Sequence, residues 1–86
     1  MNKSITVSEL VELMDNVWST TRDIQRIGSV GINRAYAIRD EIRQQMKEAG
    51  AFVPRYKVST EYVIKYFKLD EKKIRRQAMG GIINEQ

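Results

Sequence analysis

The chain has 86 residues, enough for one domain, and its 42% hydrophobic residues can build one modest core, of which a deep active-site cavity would consume a large share. It contains neither cysteine nor histidine, which excludes disulfides, thiolate or imidazole metal ligands, cysteine nucleophiles and histidine acid–base chemistry. The net charge is +4, and the excess of basic residues lies after Thr20: the first 20 residues hold one basic and three acidic side chains.

That distribution makes nucleic acid the expected partner class, with an anionic membrane surface second, because a basic surface attracts polyanions at long range. No apolar run approaches the roughly 20 residues of a membrane span, and the N-terminus lacks the blocks of a signal peptide. We therefore expect no membrane partner and a cytoplasmic protein.

Capping signals mark the first two helices. Thr6-Val7-Ser8-Glu9 has the pattern of a capping box. The helix that follows has one apolar face, formed by Val7, Leu10, Val11 and Met14. Asp15-Asn16 ends it, and the hydroxyls of residues 19–21 can cap a second helix, with Asp23 in its first turn.

A short turn separates the second helix from a long third one. Gly28-Ser29-Val30-Gly31 interrupts the pattern, and its glycines permit the positive φ that ends a helix tightly. From about Ile32 to Ala49 the apolar residues occupy a narrow sector, consisting of Ala35, Ile38, Ile42, Met46 and Ala49. Gly50 is the natural C′ residue. A short helix, a glycine turn and a long helix with one free face is helix-turn-helix spacing.

The rest of the chain predicts a small sheet and two more helices. Residues 51–58 indicate two short extended arms or a hairpin with a basic tip at Pro54-Arg55. Ser59 or Thr60 can cap a fourth helix, whose aromatic residues we assign to the core, and Asp70 can cap a basic last helix. The prediction is a mainly α helix-turn-helix domain over residues 1–79, with four or five helices and either with or without a short two-stranded wing. A flexible tail over residues 80–86 follows it.

The candidate DNA-reading surface is the polar face of the third helix, about residues 32–48, in the major groove. Amide and guanidinium groups can bond base edges, and small or aromatic groups can touch a thymine methyl. The predicted base contacts are Asn33, Arg34, Tyr36, Ala37, Asp40 and Arg43. The predicted phosphate contacts are Arg22, Arg26, Arg39, Lys47, Arg55 and Lys57.

Other interpretations stay open at this point. The polar face could be an ordinary solvated one, and residues 52–58 could be a wing or a plain loop whose aromatics close the core. The Lys72-Lys73 and Arg75-Arg76 pairs could hold phosphates, lie on a membrane surface or be merely solvated. No acid–base, metal or phosphate-loop motif is present, so we expect no enzyme, no metal and no cofactor.

One wider pattern resembles a known class of proteins. It consists of Asp23, Ile24, Ile27, Gly28, Val30, Gly31, Asn33, Ala35, Tyr36 and Ile38, then Gly50, the Pro54 segment and residues 58–63. Over roughly residues 6–69 this resembles small helix-turn-helix proteins of Gram-positive phages and integrative elements, in the excisionase-like and MerR-like winged class. The resemblance implies a DNA-binding role in excision or transcriptional control, as a homodimer or cooperative array, with a recombinase as a possible partner. The alternatives are a protein-interaction module, acting as inhibitor or adaptor, and an accessory protein of replication or conjugative transfer.

Overall fold

The computed structural model describes residues 5–83 and is mainly helical, as the sequence predicts. In that range the elements are α1 (Val7–Met14), β1 (Trp18–Ser19), α2 (Thr21–Gly28), α3 (Ile32–Glu48), β2 (Val58–Ser59), α4 (Thr60–Tyr66) and α5 (Glu71–Ile83). The predicted helix-turn-helix corresponds to α2, residues 29–31 and α3. Within residues 5–83, no helix is both long enough and apolar enough to cross a membrane.

The first two helices begin at the capping boxes that the sequence contains. In α1 the Thr6 amide donates to Glu9 Oε1 at 3.0 Å, and the Glu9 amide donates to Thr6 Oγ1 at 3.1 Å. Thr20 and Asp23 make the same reciprocal pair at the start of α2, at 3.0 and 3.2 Å. Each box satisfies two backbone N–H groups that have no partner inside the helix.

One apolar stripe along α3 forms the centre of the core. Its buried members are Ala35, Ile38, Ile42 and Met46, and they pack with Ile24 and Ile27 of α2, with Val58 and with Val63 of α4. Burial of each isoleucine side chain contributes about 1.5 to 3 kcal/mol to the free energy of folding. Ala49, which the sequence assigned to the same stripe, is exposed because α3 ends at Glu48 and Ala49 is its C-cap.

The turn between α2 and α3 uses its glycines differently from the prediction. Ser29, not a glycine, takes the left-handed conformation that ends α2, with φ of 53°. Gly31 is the N-cap of α3 at an ordinary φ of −73°. Gly28 serves close packing instead, because the Phe67 ring lies where a Cβ at Gly28 would project. The end of α4 is thereby held against the end of α2.

The predicted two-stranded sheet is present, but its two strands come from distant parts of the chain. β1 and β2 pair antiparallel, with Trp18 opposite Ser59 and Ser19 opposite Val58. The prediction of two extended arms inside residues 51–58 was therefore wrong, because the hydrogen bonds of β2 go to the segment before α2. A buried contact of 2.6 Å between Ser19 Oγ and Thr60 Oγ1 closes this junction. The sheet fixes the chain before the helix-turn-helix to the chain after it.

The last helix packs on the first. Asp70 caps α5 as predicted, accepting from the Lys73 amide at 3.0 Å. Arg75 donates to Asp15 at 2.8 Å and to Glu71 at 3.1 Å, and these hydrogen bonds, Asp15 first, raise the pKa of Arg75 above its ordinary value. The helical backbone runs through Gly80 and Gly81 to Ile83, so the helix extends into the range predicted as a tail. Residues 84–86 of the predicted tail lie outside the described residues.

We expect Gly28→Ala to destabilise the protein, because the new Cβ would lie 2.2 to 2.8 Å from three ring atoms of Phe67. Overpacking costs about 1 to 3 kcal/mol, more than the roughly 1 kcal/mol that alanine gains over glycine in a helix. Thermal unfolding followed by circular dichroism measures the loss.

Gly31→Ala is the control for added side-chain volume, since nothing lies within 4 Å of the position its Cβ would take. Gly31 is the N-cap of α3, where alanine is less favourable than glycine, so this variant should lose about 1 kcal/mol or less. Adding Phe67→Leu to Gly28→Ala should recover part of the lost stability. A Gly28→Ala protein as stable as the wild type would contradict the packing described for this turn.

Candidate nucleic-acid interface

The face of α3 opposite the buried stripe is open to solvent over its first three turns. Five of the six predicted base-contact residues are exposed there: Asn33, Arg34, Tyr36, Ala37 and Asp40. The burial of α3 causes this, because residues at i, i+3, i+4 and i+7 share one side of a helix and the remaining positions face outward. The structure therefore brings these five residues onto one accessible part of the molecule.

Asn33 and Arg34 are two polar groups on this face whose side chains are not engaged within the described part of the protein. Among residues 5–83, neither side chain takes part in a hydrogen bond or an ion pair. Both lie in the first turn of α3, directly after the helix-turn-helix turn. Their amide and guanidinium donors are therefore available to an external acceptor without breaking an internal contact.

Arg39 connects the outward face of α3 to the start of α2. Its guanidinium contacts Asp40 at 3.1 Å, lies 5.1 Å from the centre of the Tyr36 ring and donates to Thr21 Oγ1 at 3.4 Å. The side chain is 22% exposed, and the Asp40 carboxylate beside it is 69% exposed. Asp40 therefore has a cationic partner within the face, which reduces its repulsion of a polyanion.

Arg43 differs from the other predicted base contacts because its guanidinium is engaged by the loop after α3. One of its terminal nitrogens donates to the carbonyl of Pro54 at 2.6 Å and to the carbonyl of Lys57 at 3.2 Å. The predicted base contact would require these hydrogen bonds to break. In the structure Arg43 positions residues 54–57 against α3.

The loop that Arg43 holds presents a basic and aromatic tip. Arg55, Tyr56 and Lys57 are all exposed, and the Arg55 guanidinium lies 5.8 Å from the centre of the Tyr56 ring. Tyr56 has a φ of 63°, a left-handed conformation that is uncommon for a residue with a side chain. The Arg43 bonds on either side of it hold that conformation. The aromatics Phe52 and Tyr56 are 74% and 69% exposed and do not close the core.

The remaining predicted phosphate contacts occupy two different environments. Arg22 and Lys47 are exposed, and among residues 5–83 neither takes part in an ion pair. Arg26 lies at 3.5 Å from Glu9 of α1, so its charge is partly offset within the molecule. The helix-turn-helix and the loop together, residues 21–58, contain eight basic and four acidic side chains.

Sequence reasoning missed two features of this surface. One is Thr21, whose hydroxyl receives the Arg39 hydrogen bond, and the other is the anchoring of the loop by Arg43. Both depend on contacts between residues 11 or more positions apart, which helical periodicity does not encode. Only the cluster of basic and aromatic residues at positions 55–57 gave any signal for the loop.

Comparison with known proteins found no family model, no curated protein and no solved structure that matches this chain. The functional argument therefore depends on the geometry and charge of the residues described above.

We expect Arg43→Ala to release the loop without unfolding the protein. Hydrogen bonds from a charged donor contribute about 1.5 to 3 kcal/mol each, less where water reaches them, and the core residues of α3 are unchanged. Amide hydrogen exchange should accelerate at residues 55–58, as measured by mass spectrometry.

Lys47→Ala is the control, because it removes an exposed cation one turn further along α3, and among residues 5–83 the Lys47 side chain takes part in no hydrogen bond to the loop. Arg43→Lys should protect the loop only partly, since lysine lacks the guanidinium fork. Unchanged exchange at residues 55–58 in Arg43→Ala would show that the loop is held by other contacts.

Proposed function

We propose that this protein binds double-stranded DNA, with the first three turns of α3 in the major groove. The single observation that carries the proposal is the outward face of residues 32–43, where Asn33 and Arg34 have unused donors directly after a helix-turn-helix turn. Side chains at the N-terminal end of the second helix are those that reach base edges in helix-turn-helix proteins.

Charge on the flanks of α3 supports the same orientation. Arg22 lies in the first turn of α2, beside the Thr21 that bonds Arg39, and is suited to a phosphate at one edge of the groove. Arg55 and Lys57 occupy the loop tip that Arg43 fixes to α3. Phosphate contacts set the register of the helix, while Asn33, Arg34, Tyr36 and Ala37 meet the bases.

The wider role in the proposal comes from the resemblance to excisionase-like and MerR-like proteins. It supports a cytoplasmic protein of a phage or integrative element that acts in excision or transcriptional control. A single domain of this size makes few phosphate contacts, so useful specificity requires a homodimer or several copies along the DNA.

A second candidate, a protein-interaction module, is favoured by one observation away from α3. Phe52 is 74% exposed and Val17 is 72% exposed, although Phe52 makes an edge contact with Trp18 at 6.1 Å between ring centres. These apolar side chains could contact a recombinase or another protein of the element. This candidate requires no DNA affinity, which separates it from the first.

The test is fluorescence anisotropy with a labelled random-sequence duplex over a salt series. A protein that holds about four or five phosphates should show a slope of log affinity against log salt near −4. The α3 variant, Arg22→Gln with Arg34→Gln, should reduce the steepness of that slope by about 1, because Arg22 holds one phosphate at about 0.9 per contact. The loss of Arg34, which meets a base, should weaken binding further at every salt concentration.

The matched control is the α4 variant, Lys65→Gln with Lys68→Gln, which removes two exposed cations from the end of α4 and the turn after it. It should change the slope by well under one unit, roughly the effect of net charge alone. Absence of wild-type binding at low salt would refute the proposal and leave the protein-interaction module. Equal effects of the two variants would show that α3 is not the DNA-contacting surface.

A further inference from the structure

The side of α5 that faces away from α1 carries three cations and no carboxylate. At about 100° per residue the partly buried residues of this helix fall on one side. They are Glu71, Ile74, Arg75 and Ala78. The exposed residues on the opposite side include three basic ones, which together are called the α5 strip: Lys72, Lys73 and Arg76.

The helix separates neutralised from unneutralised charge. Arg75, on the packed side, bonds both Asp15 and Glu71, and the third carboxylate near the base of α5, that of Asp70, accepts from the Lys73 backbone amide. Within residues 5–83, no cation of the α5 strip takes part in an ion pair. The charged side chains of the strip are therefore all positive, and none is neutralised by an ion pair within the described part of the chain.

The apolar residues of α5 decide which polyanion fits the strip. A helix that lies on a membrane inserts an apolar face beneath its basic face. Here Ile74 and Ala78 lie on the partly buried side, where α5 packs against α1, and cannot enter a bilayer while the domain is folded. Met79, 56% exposed, is a single apolar side chain beside the strip and does not make the continuous apolar face that a membrane-bound helix inserts. An exposed strip of cations, without a continuous apolar face among the described side chains, suits a ligand that offers charge at its surface, as the phosphates of a duplex do.

The strip and the outward face of α3 belong to different parts of the fold. α5 packs against α1, whereas α3 packs against α2, α4 and β2. We therefore expect a phosphate held by the strip to differ from those beside the groove that α3 occupies.

We propose that the α5 strip is a second DNA-contacting surface, which binds duplex phosphates outside the segment held by α3. This inference rests on the proposed DNA binding by α3. It adds a second contact with DNA, which would make the protein one that shapes DNA as well as binding it. The phosphates come from DNA flanking the same site, which the protein then bends, or from a second duplex, which it then bridges.

The test adds one charge-matched variant to the salt series, measured on a duplex of about 40 base pairs, roughly four helical turns. The strip variant, Lys72→Gln with Arg76→Gln, removes two exposed charges four residues apart on one side of α5. It should reduce the steepness of the salt slope by about 2, at about 0.9 per lost phosphate contact, and weaken binding at about 100 mM salt by roughly tenfold. The α4 variant, with the same change in net charge, should have little effect.

Two further experiments identify the source of the phosphates. If flanking DNA supplies them, the effect of the strip variant should vanish on a duplex of about 12 base pairs, little more than one helical turn. If a second duplex supplies them, energy transfer between donor-labelled and acceptor-labelled duplexes should appear with wild type and be lost in the strip variant. Either result supports the inference.

Failure of the inference is distinguishable from failure of the proposed function. A strip variant that behaves like the α4 variant, while the α3 variant loses affinity, overturns the second surface and leaves DNA binding by α3 intact. Absence of wild-type binding to any duplex overturns both. Binding to phosphatidylglycerol vesicles that is lost in the strip variant, with DNA affinity unchanged, assigns the strip to membranes and also overturns the inference.

Discussion

The burial of one narrow stripe along α3 is the constraint on which the rest of the structure depends. Ile38, Ile42 and Met46 are 1% exposed or less, and Ala35 is small enough for α2 to approach the start of the helix. Because side chains on a helix point in fixed directions, burying this stripe against α2, α4 and β2 also determines which residues face water. The outward position of Asn33, Arg34 and Tyr36 is thus a consequence of core packing.

The second constraint is the closure of the chain around the helix-turn-helix. β1 and β2 join the residues before α2 to those before α4, and the Ser19–Thr60 hydroxyl pair satisfies two buried polar groups at this junction. Arg43 then holds the intervening loop against the side of α3. The loop tip and the first turns of α3 are consequently both fixed to the same folded domain. This lowers the conformational entropy that is lost when one ligand binds both.

Local sequence signals predicted most of the helices and the exposed part of the candidate site. The capping boxes at Thr6 and Thr20 and the apolar period of α3 depend only on neighbours within one or two turns, so they can be read from the sequence. The partners of β2 and of Arg43 could not, because each depends on residues 11 or more positions away whose approach the core determines. The role of Gly28 was hidden for the same reason: its neighbour Phe67 is 39 positions further along the chain.

The most direct test of the central claim, that α3 presents a DNA-binding face, is a backbone amide NMR titration with a duplex of about 16 base pairs, roughly one and a half helical turns. The account predicts that the largest shift changes fall on residues 32–40, with smaller ones at Arg22 and at residues 55–57. Changes confined to the region of Val17 and Phe52, or the absence of any change in α3 at low salt, would contradict it.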